Sequence, residues 1–136
     1  DLRKYPEKLT KEEVLRAIAK TSPVPSSPRY YHNGEKLTDS DFARYTANMA
    51  EDSVADEVEV KFGLAVERGL MRTFPTPDQV TNSGRDFEVD MFVETAIYPG
   101  EAVAILHTSK DGKFFLAQKY NYLAWVPVEL IAVGDR

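Results

Sequence analysis

From Val58 onward the chain is a series of short apolar runs cut by turn residues, and this punctuation confines its C-terminal part to a small β-structure. Val58-Glu59-Val60-Lys61-Phe62 alternates apolar and charged residues, and Ala102 to His107 is a short apolar run. Lys113 to Lys119 is rich in aromatic and aliphatic residues, and Leu123 to Val126 ends at Pro127. The pair Asp111-Gly112 favours the positive backbone angles of a tight hairpin turn. Arg72 to Pro99 is instead long, polar and turn-rich, with Pro75, Pro77, Asn82 and Gly84. Five or so strands with one long first loop predict a small closed barrel over residues 58–136.

Residues 1–57 follow another period. Thr10-Lys11-Glu12-Glu13 is a capping box, with a hydroxyl at the cap and a carboxylate three positions on. Val14, Leu15, Ile18 and Ala19 then recur at helical spacing, which predicts a helix from about Thr10 to Lys20. Pro23, Pro25 and Pro28 lack amide donors and bias their predecessors toward extended geometry, so a stiff strap follows from Ser22. After an Asn33-Gly34 turn, Thr38 and Asp41 form a second cap. Phe42, Tyr45 and Met49 share one face of the helix it starts, the face expected to dock on the strands. The expected architecture is mainly β, α+β overall: a small barrel with an N-terminal helical extension packed on it.

Composition removes several function classes. Lys and Arg number 17 against 22 Asp and Glu, a formal charge of −5, and neither end carries a basic block, so nucleic acid is not an expected partner. The absence of cysteine excludes disulfide scaffolds, thiolate zinc sites and any cysteine nucleophile within the chain. No apolar run approaches the roughly eighteen residues of a membrane span. The chain begins with Asp1 rather than Met, which leads to the expectation that a signal or anchor segment has been removed.

Three clusters carry candidate chemistry. His107, Ser109 and Asp111 have the composition of a hydrolytic triad, but the serine lies between the other two, and Asp111 is needed for the turn with Gly112. Asp86, Glu88 and Asp90 alternate in a way that could face a calcium ion, yet no tight glycine turn follows them. A solvated acidic edge is the expected reading. His32 and His107 lie far apart, so no metal and no cofactor are expected. Tyr120, Tyr122 and Trp125 are flat side chains with polar edges, suited to sugars and short peptides, with core and groove both open for Trp125. Arg72, Phe74 and the loop from Thr76 to Arg85 are expected to form the opposite wall, and Asp111 with Arg72 to address a peptide's charges. The expected site is therefore Tyr120, Tyr122, Trp125, Asp111, Arg72 and Phe74, with no catalytic residues.

The second half also resembles the bacterial SH3-like domains that precede the catalytic domain of NlpC-type cell-wall peptidases. The match is carried by Gly63, Leu70-Met71-Arg72-Thr73-Phe74-Pro75-Thr76, Asp90, Glu94-Thr95 and Pro99-Gly100-Glu101. It continues through Leu106-His107-Thr108-Ser109, Asp111-Gly112-Lys113, Tyr120-Asn121-Tyr122, Trp125-Val126 and Ile131-Ala132. The helical half resembles the segment ahead of that barrel through Arg29-Tyr30, Asn33-Gly34 and Asn48. This resemblance implies an SH3-like, non-catalytic module of extracytoplasmic location, whose partners are peptidoglycan stem peptide and a cysteine peptidase domain in cis or trans. A structural spacer whose aromatic rim docks on a protein domain is the alternative.

Overall fold

The computed structural model describes residues 2–83 and 89–134. Asp86 and Glu88 of the expected acidic edge, and Arg85 of the expected wall, lie outside the described residues. In chain order the elements are β1 (Lys8–Thr10), α1 (Lys11–Thr21), β2 (Tyr30–Tyr31), α2 (Asp39–Asn48), β3 (Glu57–Glu59), β4 (Lys61–Ala65), β5 (Gly69–Arg72), β6 (Val80–Thr81), β7 (Val93–Ile97), β8 (Ala102–Thr108), β9 (Phe114–Lys119), β10 (Tyr122–Pro127) and β11 (Ile131–Gly134). Short 3-10 turns add Leu2–Lys4, Glu51–Ser53 and Val128–Leu130. Among the described residues the chain is mainly β, at 38% strand and 23% helix with the 3-10 turns included.

Both helices start where their hydroxyl caps require. Thr10 accepts from the Glu13 amide at 3.2 Å while Glu13 accepts from the Thr10 amide at 3.0 Å, and Thr38 and Asp41 form the same reciprocal pair ahead of α2. After α1 the proline strap has neither helix nor strand until β2. Gly34 and Gly112 carry the two tight turns expected of them, with φ of 87° and 74°.

The strands differ from expectation in closure and in number. A seven-stranded sheet runs β11-β4-β8-β9-β10-β5-β7, with β11 and β7 at its edges, so the sheet is open and the expected closed barrel is not formed. The region expected to be one long loop contains β6 and β7. These are short, and their partners are distant in sequence: β6 pairs with β2, and β7 with β5. The alternating run Val58 to Phe62 serves two sheets. It breaks at buried Val60, whose amide donates to Glu7 O at 2.8 Å, leaving β3 to pair with β1 and β4 with β8 and β11.

Central strands are covered on both faces, which is why β8 reads as a continuous apolar run. Ala104 and Leu106 face a core built with Val14 and Ile18 of α1, Leu116 and Trp125, while Val103 and Ile105 face a second core with Met71, Ala117, Val126 and Ile131. A third cluster joins α2 to the loop after β5. Tyr45, Phe74 and Phe92 are fully buried there, with ring centroids 5.0 to 5.9 Å apart, and Phe42 packs against them. The Phe42, Tyr45 and Met49 face of α2 therefore packs inward as its spacing predicts. Among the described residues, no helix is long and apolar enough to cross a membrane.

Candidate functional site

The six expected site residues do not form one groove. Trp125 is fully buried between α1 and the sheet, its indole Nε1 donating to Ser22 Oγ at 3.0 Å, and Ser22 in turn donates to Thr73 O at 2.6 Å. That settles the open choice for Trp125 in favour of core. A largest-ring side chain with a single donor is best accommodated where it buries its area and still meets an acceptor. Phe74 belongs to the aromatic cluster and has no exposed face to offer a ligand. Arg72 is buried as well. Its Nη1 pairs with Asp90 Oδ2 at 2.9 Å, and its Nη2 donates to Asp78 O. Asp90 also accepts from the Val80 and Phe92 amides, so this buried ion pair clamps the two ends of the loop that follows β5. Removing one partner of such a pair costs about 3–5 kcal/mol. Arg72, Phe74 and Trp125 thus hold the fold and do not line a groove.

Tyr120, Tyr122 and Asp111 are on the surface, with Asp111 far from the two tyrosines. Tyr120 and Asn121 form the turn from β9 to β10, so Tyr120 is not in the extended segment that would align it with Tyr122. Asp111 lies in the turn at the opposite end of β9, a strand of six residues, about 20 Å away at the rise of an extended chain.

What surrounds Asp111 is a polar cleft of about 370 Å³. Its walls are the outer side of α2 with Arg44 and Asn48, the segment Pro75 to Asp78, and the turn bearing Lys110 and Asp111. Asn48, the last residue of α2, joins all three. Its Nδ2 donates to Pro75 O at 2.9 Å, its Oδ1 accepts the Asp111 amide at 3.0 Å, and its carbonyl accepts the Lys110 amide at 2.9 Å. On the floor, Tyr45 donates to Asp78 Oδ2 at 2.6 Å and meets the Tyr31 hydroxyl at 3.0 Å. Burial first, and then the bond to Asp78, push the Tyr45 phenol well above the ordinary tyrosine range. Arg44 bridges Asp41 at 3.2 Å and Asp78 at 3.7 Å.

The turn is equally well tied. Ser109 donates to Asp111 Oδ1 at 2.7 Å and accepts the Phe114 amide at 3.0 Å, while the Lys113 amide also donates to Asp111 at 3.0 Å. Partial burial raises the Asp111 pKa, but the bonds from Ser109, Lys113 and Asn48 outweigh it and hold the carboxyl below the ordinary aspartate range. His107 turns away, donating from Nε2 to Met49 O at 2.9 Å. With Ser109 spent on its own turn and His107 on a backbone carbonyl, this trio closes a hairpin and does not build a triad.

Arg44 and Lys110 were not among the residues expected at a site, whereas Asp78 lies in the loop from Thr76 to Arg85 expected to form a wall. The signal that pointed to them is Asn48, a polar residue at the end of an apolar helix face, which lies with Pro75 and Asp111 among the residues that carry the resemblance. The cleft presents two cationic and two anionic side chains on rigid elements, an arrangement able to bind a short peptide carrying both charges.

Comparison with known proteins agrees with this architecture. Residues 74–127 match the family model of the SH3 domain, SH3b1 type. No curated protein matches the chain in sequence. Among solved structures, an NlpC/P60 endopeptidase from Photobacterium damselae subsp. piscicida is similar in fold over 93% of this chain, with a TM-score of 0.70 and 21% identity. The chain spans 28% of that protein's length. The matched stretch covers β6 to β10 and the two walls of the cleft other than α2, while β4, β5 and β11 complete the seven-stranded sheet outside it. Residues 74–127 accordingly resemble the SH3 domain of the SH3b1 type, in a chain that shares its fold with part of an NlpC/P60 endopeptidase.

Proposed function

We propose that this chain is a non-catalytic cell-wall module, acting outside the cytoplasm, that recognises peptidoglycan stem peptide or holds it for a cysteine peptidase domain in cis or trans. The observation that carries this reading is the cleft between α2, Pro75 to Asp78 and the Lys110-Asp111 turn, which offers both charge signs to a short zwitterionic peptide. Arg44 and Lys110 are suited to peptide carboxylates, Asp78 and Asp111 to an amine. The SH3b domain type is itself non-catalytic, and the similarity to an endopeptidase supplies the class of partner.

Retention of the purified chain on insoluble peptidoglycan, competed with a soluble stem peptide and controlled with heat-denatured protein, tests the reading. Competition by the peptide is the expected result, with Lys110→Ala weakening it about tenfold at an unchanged thermal midpoint and Asp78→Asn weakening it about tenfold with a lowered midpoint, because Asp78 also holds the Tyr45 hydroxyl. Unaltered competition in folded variants removes the cleft from the reading. No retention at all favours a docking module. One observation supports that second role: a mostly apolar groove of about 510 Å³ lined by Leu2, Phe62, Leu64, Ala102 and Val133, on the face beside edge strand β11. That role predicts self-association in light scattering over a concentration series.

A further inference from the structure

Far from the cleft, the turn between β9 and β10 carries a second group of surface side chains. Tyr120 is 75% exposed, Tyr122 40% and Tyr98 49%. Tyr122 and Tyr98 flank an ion pair that is itself held in place, and Tyr120 follows Lys119 in the chain. Lys119 Nζ lies 3.1 Å from Glu101 Oε2, donates to Ala96 O at 2.8 Å, and is 6.0 Å from the centre of the Tyr122 ring. Glu101 Oε2 also accepts the Tyr98 amide at 2.8 Å, and the Arg68 guanidinium lies 5.6 Å from the centre of the Tyr98 ring. Gln118 Nε2 ties the hairpin end, donating to Lys119 O at 2.6 Å and to Tyr122 O at 3.2 Å. The rim is therefore built on fixed backbone, with its aromatic faces separated by charge.

That alternation decides which partner fits. A protein interface wants a continuous apolar core with charges kept to its border. Here the Lys119 and Glu101 pair lies between Tyr122 and Tyr98, whereas a continuous apolar surface lies elsewhere, at Leu2, Phe62, Leu64 and Val133. A pyranose ring has a face of C–H groups bordered by hydroxyls. It stacks on a flat phenol while its hydroxyls bond the neighbouring ammonium and carboxylate.

We propose that Tyr120 and Tyr122, with the Lys119–Glu101 pair and Tyr98 beside them, form a carbohydrate-binding rim for a short stretch of amino-sugar glycan. The choice of amino sugar rests on the cell-wall reading above. The rim itself rests on its own geometry and is separate from the peptide cleft.

The test is titration of the full chain with soluble N-acetylglucosamine tetramer, followed by calorimetry and by amide chemical shifts. Binding with shifts centred on residues 119–122 is expected. Tyr122→Ala and Tyr120→Ala should each weaken it about tenfold, and Tyr122→Phe should restore it, since stacking needs the ring and not the hydroxyl. Thermal midpoints of these surface variants should match the parent, so loss of binding would not reflect unfolding. No binding by the folded chain, or binding indifferent to both alanine variants, overturns the proposal. So does protection of the rim by a peptidase domain without any sugar binding, which would assign the surface to protein. Stem peptide titrated into the same samples separates the two readings. Tetramer binding without peptide binding leaves the rim standing and the cleft reading refuted, and the reverse result refutes the rim alone.

Discussion

Tyr45 shows how a residue chosen by an apolar pattern takes on a polar task. Its ring completes the cluster with Phe74 and Phe92, and its hydroxyl is held between Tyr31 and Asp78. Burial and the anionic acceptor both favour the neutral phenol, so its pKa is raised on folding. An unfolded tyrosine ionises near pH ~10. A group raised on folding contributes stability that is complete below that pH and is lost as pH rises toward the folded value. The parent chain should therefore lose stability steeply above about pH 10. Tyr45→Phe should be less stable at pH 7 by about 1–2 kcal/mol, because Asp78 loses its donor, but its alkaline decline should be shallower. Some slope should persist from Tyr31, whose phenol is raised by burial first. Urea unfolding at a series of pH values checks this, and identical alkaline slopes in the two proteins would exclude Tyr45 as the linked group.

Among the elements, the β4–β11 pair leaves little room for change at Gly63. A Cβ at Gly63 would lie 2.5 Å from Ile131 Cγ2 and 3.0 Å from Ala132 O, a branched side chain and a backbone atom with little freedom to retreat. At Gly69 the nearest atom is the end of the Leu130 side chain, which can rotate away. Gly63→Ala should thus cost about 1–3 kcal/mol and speed amide exchange in β11, while Gly69→Ala should cost less. Denaturant unfolding of the two variants compares them directly, and a Gly69 variant as damaged as the Gly63 one would contradict the packing argument. The elements also differ in how readable they were. The capped helices and β8 to β10 could be recognised because local rules specify them: reciprocal caps, long apolar runs and an Asp-Gly turn. β6 and β7 escaped because their pairing is not local: the two-residue strand Val80–Thr81 exists through Tyr30–Tyr31, some fifty positions away in the chain, and β7 pairs with β5 across the loop that holds β6.

At the scale of the molecule, the N-terminal segment and the sheet share their cores. Leu9, Val14 and Ile18 pack in one cluster with Leu116 and Trp125, and Tyr45 closes another with Phe74. Polar links follow the same seam, from Trp125 through Ser22 to Thr73 and from Asn48 to Pro75 and Asp111. The 136-residue chain should unfold in a single step, with Trp125 fluorescence and far-UV circular dichroism coinciding. A chain starting at residue 58 should fail to unfold cooperatively, since it exposes Trp125, Leu116 and Phe74 together. Two resolved transitions in the full chain would show instead that residues 1–57 and 58–136 are independent units.

The sequence by itself determined what depends on neighbours along the chain: two capped helices, a proline strap between them, hairpins around tight turns, and the order of motifs that marks an SH3b1-type stretch. Tertiary structure alone decided where the chemistry lies. Tyr120, Trp125 and Asp111 are close in sequence and similar in promise, yet one is on a turn, one is sealed against α1 and one lines a cleft shared with α2. The reason is physical. Alternation along a strand tells which side chains share a face, but whether that face meets water depends on what packs over it. Here α1 covers the face bearing Trp125, and α2 leaves a polar cleft beside Asp111.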